Sequence, residues 1–177
     1  MNPLDALVEP RKLDLLICFC DIVNFTAVAR ATPEPLDVFR LLSGMASLMA
    51  GLVAPTNGRI IKFIGDSALI VFPETNTDEG VRLLLDMKSR MEHYLAQKGS
   101  RCTVRFQLHV GEAAVGRFGD TGAIDVMGDA VNVTARLGSR EDRGMFVISP
   151  QAFRKLEPNT RKLFHRFTPP IVYVAKL

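Results

Sequence analysis

The segment FCDIVNFT, residues 19–26, overlaps the end of the apolar run LDLLICF at residues 13–19. The run has the length of a strand and is almost wholly apolar, which is typical of a buried central strand. Asp21 follows it at once, in a turn-like stretch that extends to Asn24. The segment therefore predicts a β-sheet whose central strand ends in a carboxylate.

The rest of the chain alternates helix and strand patterns without a regular parallel rhythm. Apolar residues at helical spacing follow Pro33 and Pro35 as far as about Gly51, and Asn57-Gly58 is typical of a hairpin turn. We further predict strands at residues 59–63, 67–72, 104–110, 145–148, 164–167 and 171–174, helices at residues 78–99 and 129–137 and after Ser149-Pro150, and tight turns at Gly111, Gly116, Gly119, Gly122 and Gly128. This order favours the α+β class, as a ferredoxin-like or palm-type sandwich with helices packed on a mainly antiparallel sheet.

Length and composition indicate one globular domain. The 177 residues suit a single unit over residues 1–177, in which residues 1–12 lead in to the first strand. The net charge of +3 is spread along the chain, and there is no Trp, so we expect no nucleic-acid binding, which uses concentrated basic faces with aromatic residues. No signal-peptide pattern and no apolar stretch of about 18 residues is seen, so we expect no membrane segment in this chain and a cytoplasmic location.

Two acidic residues are candidate metal ligands. Asp21 and Asp66 each lie in a turn beside a predicted strand, and neighbouring strands would bring their carboxylates together. Magnesium prefers hard oxygen ligands and is usually held by one or two carboxylates plus the phosphates of a substrate. Aspartate also caps turns well, so a purely structural role for each residue is the alternative at this point.

The flanking residues carry a resemblance to a known family. FCDIVNFT and the later KFIGD, residues 62–66, resemble the paired signatures of the class III nucleotidyl cyclases, the adenylate and guanylate cyclases. DVMGDAVNVTAR, residues 125–136, is similar to a further segment of that family, with one small residue displaced. LHVG at residues 108–111, with Gly116 and Gly119, resembles the family's glycine-rich dimerisation arm. Order and spacing are kept from Phe19 to Arg136.

The resemblance implies an enzyme that converts ATP into cyclic AMP and pyrophosphate. Asp21 and Asp66, with the backbone carbonyl of Ile22, would bind two divalent ions per site, Mg²⁺ or Mn²⁺. Two such ions can stabilise the entering and leaving oxygens of an in-line displacement. The phosphates of the nucleotide would meet backbone N–H groups of Val23, Asn24, Phe25 and Thr26.

A second set of residues would read the base and stabilise the transition state. Lys62 and Asp125 match the family's adenine-selecting pair, whereas guanylate cyclases usually carry Glu at the position of Lys62. Asn132 and Arg136 match the residues that orient the ribose and stabilise charge on the α-phosphate, and their spacing of four places them on one helix face. The family builds each site from opposite subunits, which implies a head-to-tail homodimer.

Two departures from the family pattern leave alternatives open. Asn24 replaces the usual glycine of the phosphate turn, although Asn tolerates left-handed backbone geometry. The family's late Lys-Gly pair is absent, and Lys162, Arg166 and Lys176 are the cations of that region. The main alternative is therefore a weak or silent homologue that acts as a nucleotide-binding and dimerisation module, followed by a guanylate cyclase. The G-G-D/E-E-F signature of diguanylate cyclases is absent.

Overall fold

The structure is a computed structural model that describes residues 4, 8–32, 34–120, 122–138 and 145–176. A 3₁₀ turn, Glu74–Asn76, precedes the third helix. In these ranges the elements are, in chain order, β1 (Arg11–Ile22), α1 (Phe25–Ala31), α2 (Pro35–Val53), β2 (Arg59–Ile64), β3 (Ser67–Pro73), α3 (Thr77–Gln97), β4 (Val104–Phe118), β5 (Ala123–Met127), α4 (Asp129–Leu137), β6 (Phe146–Ile148), α5 (Pro150–Arg154), α6 (Pro158–Arg161), β7 (Phe164–Phe167) and β8 (Val172–Ala175).

The strands form one sheet in the order β2-β3-β1-β4-β6-β8-β7, and β5 pairs with β4 beside this path. The first four strands and the helices between them follow the ferredoxin-like order, in which β1 lies between β3 and β4. β1 is antiparallel to both neighbours, whereas β4 and β6 are parallel. The predicted α+β class, with helices packed on a mainly antiparallel sheet, is confirmed.

Both faces of the sheet are covered, which explains the apolar run in β1. Leu16 and Cys18 face a core shared with α2 and α3, while Leu15 and Ile17 face a smaller core shared with β5 and α4. Alternate residues of a strand point to opposite faces, so a strand covered on both sides is apolar at successive positions. Asp21 continues the series of Leu15 and Ile17 and therefore lies on the α4 face.

Three features between β1 and β2 differ from the prediction: the start of β1, the presence of α1 and the connection from α2 to β2. β1 begins at Arg11, so the last two residues of the predicted lead-in already pair with β4. Helix α1 was not predicted, because its seven residues make two turns, too few to show an apolar period. Asn57-Gly58 joins α2 to β2 instead of joining two strands, since Gly58 follows a helix that ends at Val53. Pro33 lies outside the described residues.

The glycine-rich stretch forms a long β-hairpin, not a series of tight turns. β4 continues through Gly111 and Gly116, where we predicted turns, and β5 returns beside it. A Cβ atom at Gly111 would lie 2.9 Å from the Cβ atom of Ala130. The missing side chain at Gly111 therefore lets α4 pack closely on the sheet. Positive φ angles, as expected for turns, occur at Gly119, Gly122 and Gly128.

Helix α2 has the length and apolar composition of a membrane-crossing helix. A single helix of this kind is weak support for a membrane segment, because helices that pack on a protein core meet the same criteria. Met45, Met49 and Val53 of α2 are buried in the core that it shares with α3. Packing on the sheet therefore accounts for the apolar residues on that side of α2.

Candidate active site

The tip of the β2–β3 hairpin lies beside the end of β1. The last paired residues of β1 and β3 are Cys20 and Ala68, so β3 offers no strand partner to Ile22. The backbone N–H of Ile22 instead donates to Oδ2 of Asp66 at 3.2 Å. Because Ile22 directly follows Asp21, this hydrogen bond brings the two predicted metal ligands to the same end of the sheet.

Two residues of β4 hold the carboxylate of Asp21. Arg105 lies opposite it in the strand register and donates from Nη2 to Oδ2 at 2.7 Å and from Nε to Oδ1 at 3.2 Å. Gln107 donates from Nε2 to Oδ1 at 3.1 Å. The ion pair is mostly shielded, with side-chain exposures of 27% for Arg105 and 20% for Asp21. Bidentate pairing with an arginine fixes the orientation of a carboxylate as well as its position.

An open cleft of about 670 Å³ separates the end of β1 and the hairpin tip from α1. Asp21 and Asp66 line it, together with the turn that follows β1 and two arginines, Arg30 and Arg105. The volume falls in the range of small-molecule and cofactor sites. Carboxylates and cations in one cleft suit a ligand that combines anionic groups with divalent ions.

The turn after β1 contains the predicted phosphate-binding backbone. Asn24 has φ 61° and ψ 22°, the left-handed conformation that Asn tolerates. The N–H groups of Asn24, Phe25 and Thr26 have no acceptor within the part of the chain that the structure describes. The N–H of Val23, in contrast, donates to the carbonyl of Thr103 at 2.9 Å. Val23 therefore differs from the three residues that follow it, because its N–H already has a backbone acceptor, and its phosphate-binding role stays a prediction.

Lys62 and Asp125 form an ion pair within one chain, with Nζ 2.7 Å from Oδ2. The β2–β3 register shifts between Ile60 and Lys62, and a bulge of this kind re-aims the side chains beside it. Asp125 lies on β5, and its Oδ1 accepts the N–H of Val126 at 2.8 Å. The lysine side chain is 43% exposed, so the pair is open to a ligand from the lysine side.

Helix α4 presents Asn132 and Arg136 to solvent on one face, as their spacing predicted. Its buried residues are Ala130, Thr134 and Leu137. The side chain of Arg136 is 73% exposed, and its Nη2 lies 3.9 Å from Oδ1 of Asp129. An ion pair this long and this exposed contributes little to stability.

The predicted residues fall into two groups within one chain. Asp21, Ile22 and Asp66 line the cleft beside β1, with the turn residues. Among the residues that the structure describes, the lining of this cleft includes none of the second group, which consists of Lys62, Asp125, Asn132 and Arg136. A single copy of the chain therefore does not gather both groups around one cleft.

The donor atoms of the cleft suit a hard divalent ion. Two carboxylates and the backbone carbonyl of Ile22 are the oxygen ligands that Mg²⁺ and Mn²⁺ prefer. No three side chains of His, Cys, Asp or Glu are grouped to hold an ion within the described ranges. An ion at Asp21 and Asp66 would thus complete its coordination with water molecules, or with phosphate oxygens when a substrate is bound.

Arg105, Gln107 and Arg30 were missed by the sequence reasoning. A charged residue inside the apolar alternation of residues 104–110 was the available signal for Arg105. Two of the late cations make local hydrogen bonds. Lys162 donates to Oδ1 of Asn159 at 3.1 Å, and Lys176 donates to the carbonyl of Lys162 at 3.0 Å.

Buried titratable groups lie behind the cleft. Burial lowers the pKa of His109, an effect that the charge of Asp129 opposes, and the Nδ1 atom of His109 lies 2.9 Å from Oγ of Ser149. Burial raises the pKa of the Cys20 thiol to about 12 and also raises that of Cys18. These side chains are neutral parts of the core, as we predicted for the two cysteines from their apolar surroundings.

Comparisons with known proteins identify the family of the chain. Residues 8–169 match the family model of the adenylate and guanylate cyclase catalytic domain. Adenylate cyclase 1 of Rhizobium meliloti (strain 1021) is 34% identical over 153 residues, which are 80% of this chain and 23% of that protein. The receptor-type guanylate cyclase gcy-6 of Caenorhabditis elegans is 28% identical over 163 residues, 86% of this chain and 15% of that protein. The chain thus spans less than a quarter of either relative.

A solved structure supports the fold independently. A bacterial light-regulated adenylyl cyclase superposes with a TM-score of 0.81 at 24% identity, over 96% of this chain and 53% of that chain. The segments predicted to bind metal, base and transition state, within residues 19–136, all lie inside the matched residues 8–169. The chain belongs to the family of adenylate and guanylate cyclase catalytic domains.

Proposed function

We propose that the protein is an adenylate cyclase that converts ATP into cyclic AMP and pyrophosphate at sites shared by two copies of the chain. The observation that carries the proposal is the placement of Asp21 and Asp66 in one cleft beside the turn at Asn24. Two carboxylates next to N–H groups without an acceptor suit a triphosphate that carries divalent ions.

Arg30 and Arg105 support the assignment of the cleft to phosphates. The family's late lysine is missing, and these arginines bring two positive charges to the same cleft. Arginine binds phosphate oxygens through a planar fork of donors. A phosphate that approaches Arg105 would compete with Asp21 for the guanidinium, and a divalent ion at Asp21 would favour that exchange.

The reaction forms a bond between the ribose 3′-oxygen and the α-phosphorus and breaks the bond from the α-phosphorus to the β-phosphate bridging oxygen. Divalent ions bound at Asp21, Ile22 and Asp66 would stabilise charge on the entering and leaving oxygens. Arg136 neutralises charge on the α-phosphate, and Asn132 orients the ribose. The hydroxyl proton passes to water or to the substrate.

Adenine is the base that the Lys62–Asp125 pair suits. A lysine can donate to a ring nitrogen, and a carboxylate can accept from the exocyclic amino group of adenine. Guanine presents a different edge, and buried polar groups that stay unpaired disfavour the wrong base. Relatives of both types occur, so the proposal of adenine rests on this pair and not on overall similarity.

A head-to-tail homodimer would bring the second group of residues to the cleft of the partner. Exposed apolar side chains lie on the strands that carry the Lys62–Asp125 pair and on the neighbouring β4, namely Phe63, Met127 and Phe118. Exposed apolar surface next to a functional group is typical of an interface. Association through this surface would complete two equivalent sites.

Product analysis tests the proposal. The protein is incubated with ATP or with GTP and excess Mg²⁺ or Mn²⁺, and Asp21→Ala controls for contaminating cyclases. We expect cyclic AMP that disappears in the variant and little cyclic GMP. Cyclic GMP as the main product would favour a guanylate cyclase, and nucleotide binding without either product would favour a silent homologue with a structural or signalling role.

Mixing two inactive variants tests the shared sites. Asp21→Ala and Arg136→Ala each damage both sites of their own homodimer. In a mixed dimer with shared sites, one site carries both changes and the other carries neither. Random pairing should therefore restore about one quarter of the wild-type rate. A mixture that stays as inactive as its components would contradict the shared arrangement.

A further inference from the structure

Gln107 connects the metal end of the cleft to helix α4. The residue is 3% exposed, and its Nε2 donates to Oδ1 of Asp21 at 3.1 Å. On the other side it lies against Gly138, the residue that caps α4. A cavity of about 230 Å³ at this junction is lined by Asp21, Gln107, Ala135 and Gly138, among others. The amide therefore contacts both the predicted metal ligand and the helix that carries Arg136.

Glycine at position 138 leaves space for the side chain of Gln107, and its backbone conformation does not call for a glycine. Its φ of −87° and ψ of −1° are right-handed helical angles that any residue adopts. A Cβ atom at this position would lie 2.5 Å from Cδ and 2.7 Å from Cγ of Gln107, far inside van der Waals contact. Any larger residue would push the amide of Gln107 from its place. The end of α4 thus leaves the room that this side chain occupies.

The chemistry of an amide suits the orientation of a metal ligand. Arg105 also holds Asp21, but its full positive charge opposes a cation that binds the same carboxylate. Gln107 is neutral and donates only to Oδ1, so together with the two hydrogen bonds from Arg105 it leaves about one lone pair, on Oδ2, for a metal ion. Hydrogen-bond partners behind a ligand fix its orientation, and their loss typically weakens metal affinity about 10–100-fold.

We infer that Gln107 is a positioning residue that orients Asp21 for a divalent cation, and that Gly138 sets the place of its amide. The inference rests on the proposed function only in assigning a metal ion to Asp21. In a dimer with shared sites, the same contact joins the metal end of one site to the helix that serves the other.

The test is the affinity for Mn²⁺ without nucleotide, measured on the full chain by electron paramagnetic resonance of the free ion. Gln107→Met keeps most of the side-chain volume but cannot donate, and it should weaken Mn²⁺ binding about 10-fold or more. Gly138→Ala should weaken it in the same direction by displacing the amide. Matched controls are Gln151→Ala, an exposed glutamine, and Gly51→Ala, where an added Cβ atom meets nothing within 4 Å. Both controls should bind as the wild type does.

A double variant separates positioning from general damage. Gln107→Ala makes room for the methyl group of Gly138→Ala, so the double variant should bind Mn²⁺ no more weakly than Gln107→Ala alone, with a melting temperature no lower. Fully additive losses, or wild-type affinity in Gln107→Met, would overturn the inference. So would Mn²⁺ binding that Asp21→Asn leaves unchanged. Normal Mn²⁺ binding without cyclic nucleotide formation would refute the proposed function and leave the positioning role intact.

Discussion

Asp66→Asn should abolish turnover and leave the fold almost as stable as the wild type, whereas Asp66→Ala should impair both. The difference arises from one contact, in which Oδ2 of Asp66 accepts the backbone N–H of Ile22 at 3.2 Å, beyond the last pair of β1 and β3. The side-chain oxygen of Asn can accept the same N–H, but a neutral amide is a poorer ligand than a carboxylate for a hard divalent ion. Alanine supplies neither.

The size of the effect follows from this hydrogen bond. An N–H that loses its acceptor at a partly buried position costs about 1–2 kcal/mol of unfolding free energy. In a chain of this size each kcal/mol shifts the melting temperature by about 2–4 °C, so Asp66→Ala should melt about 2–8 °C below the wild type. Asp66→Asn should remain within about 0.5 kcal/mol of the wild type, the usual range of a change that removes no contact.

Thermal unfolding in the presence of a chelator, at one protein concentration, measures the stability without any contribution from bound metal. Cyclic AMP formation in excess Mg²⁺ measures the activity of the same samples. Asp120→Ala, which removes an exposed acid far along the β4–β5 hairpin, is the matched control and should change neither quantity. If Asp66→Asn were as unstable as Asp66→Ala, or turned over at the wild-type rate, the reasoning would be refuted.

Arg136→Ala should lower kcat about 10²–10³-fold in steady-state assays and hardly change stability in urea titrations, because the side chain is 73% exposed; a comparable loss of stability would contradict this role. Burial lowers the pKa of His109 from 6.5, so its contribution to stability is complete above that pH and is lost as the pH falls through the lowered pKa. His109→Gln should therefore flatten the decline in unfolding free energy on acidification, and an unchanged decline would disprove the assignment. Cys102 should react with a thiol reagent in the native protein, and Cys18 and Cys20 only after unfolding; three rapid equivalents from native protein would argue against the buried pair.

Most helices and strands were predicted, because the patterns that indicate them lie among neighbouring residues of the sequence. The apolar run before Asp21 identified β1, and the four-residue spacing of Asn132 and Arg136 identified the exposed face of α4. Local reasoning failed where packing overrides propensity. Gly111 lies within a strand because α4 approaches it closely, and a glycine in sequence gives the same signal for a close approach as for a turn.

Short segments of the chain predict the family and the metal, base and transition-state candidates, because the residue types and spacing within each segment carry the chemistry. The contacts that hold these residues are visible only in the folded chain. The β1–β4 register pairs Arg105 with Asp21, 84 positions away, and places Gln107 opposite Phe19, from where its side chain reaches Asp21, 86 positions away. The pairing of two strands this far apart in the sequence depends on the burial of both sheet faces at once. No pattern within a short segment indicates it. The division of the site residues into two groups likewise follows from the topology of the sheet.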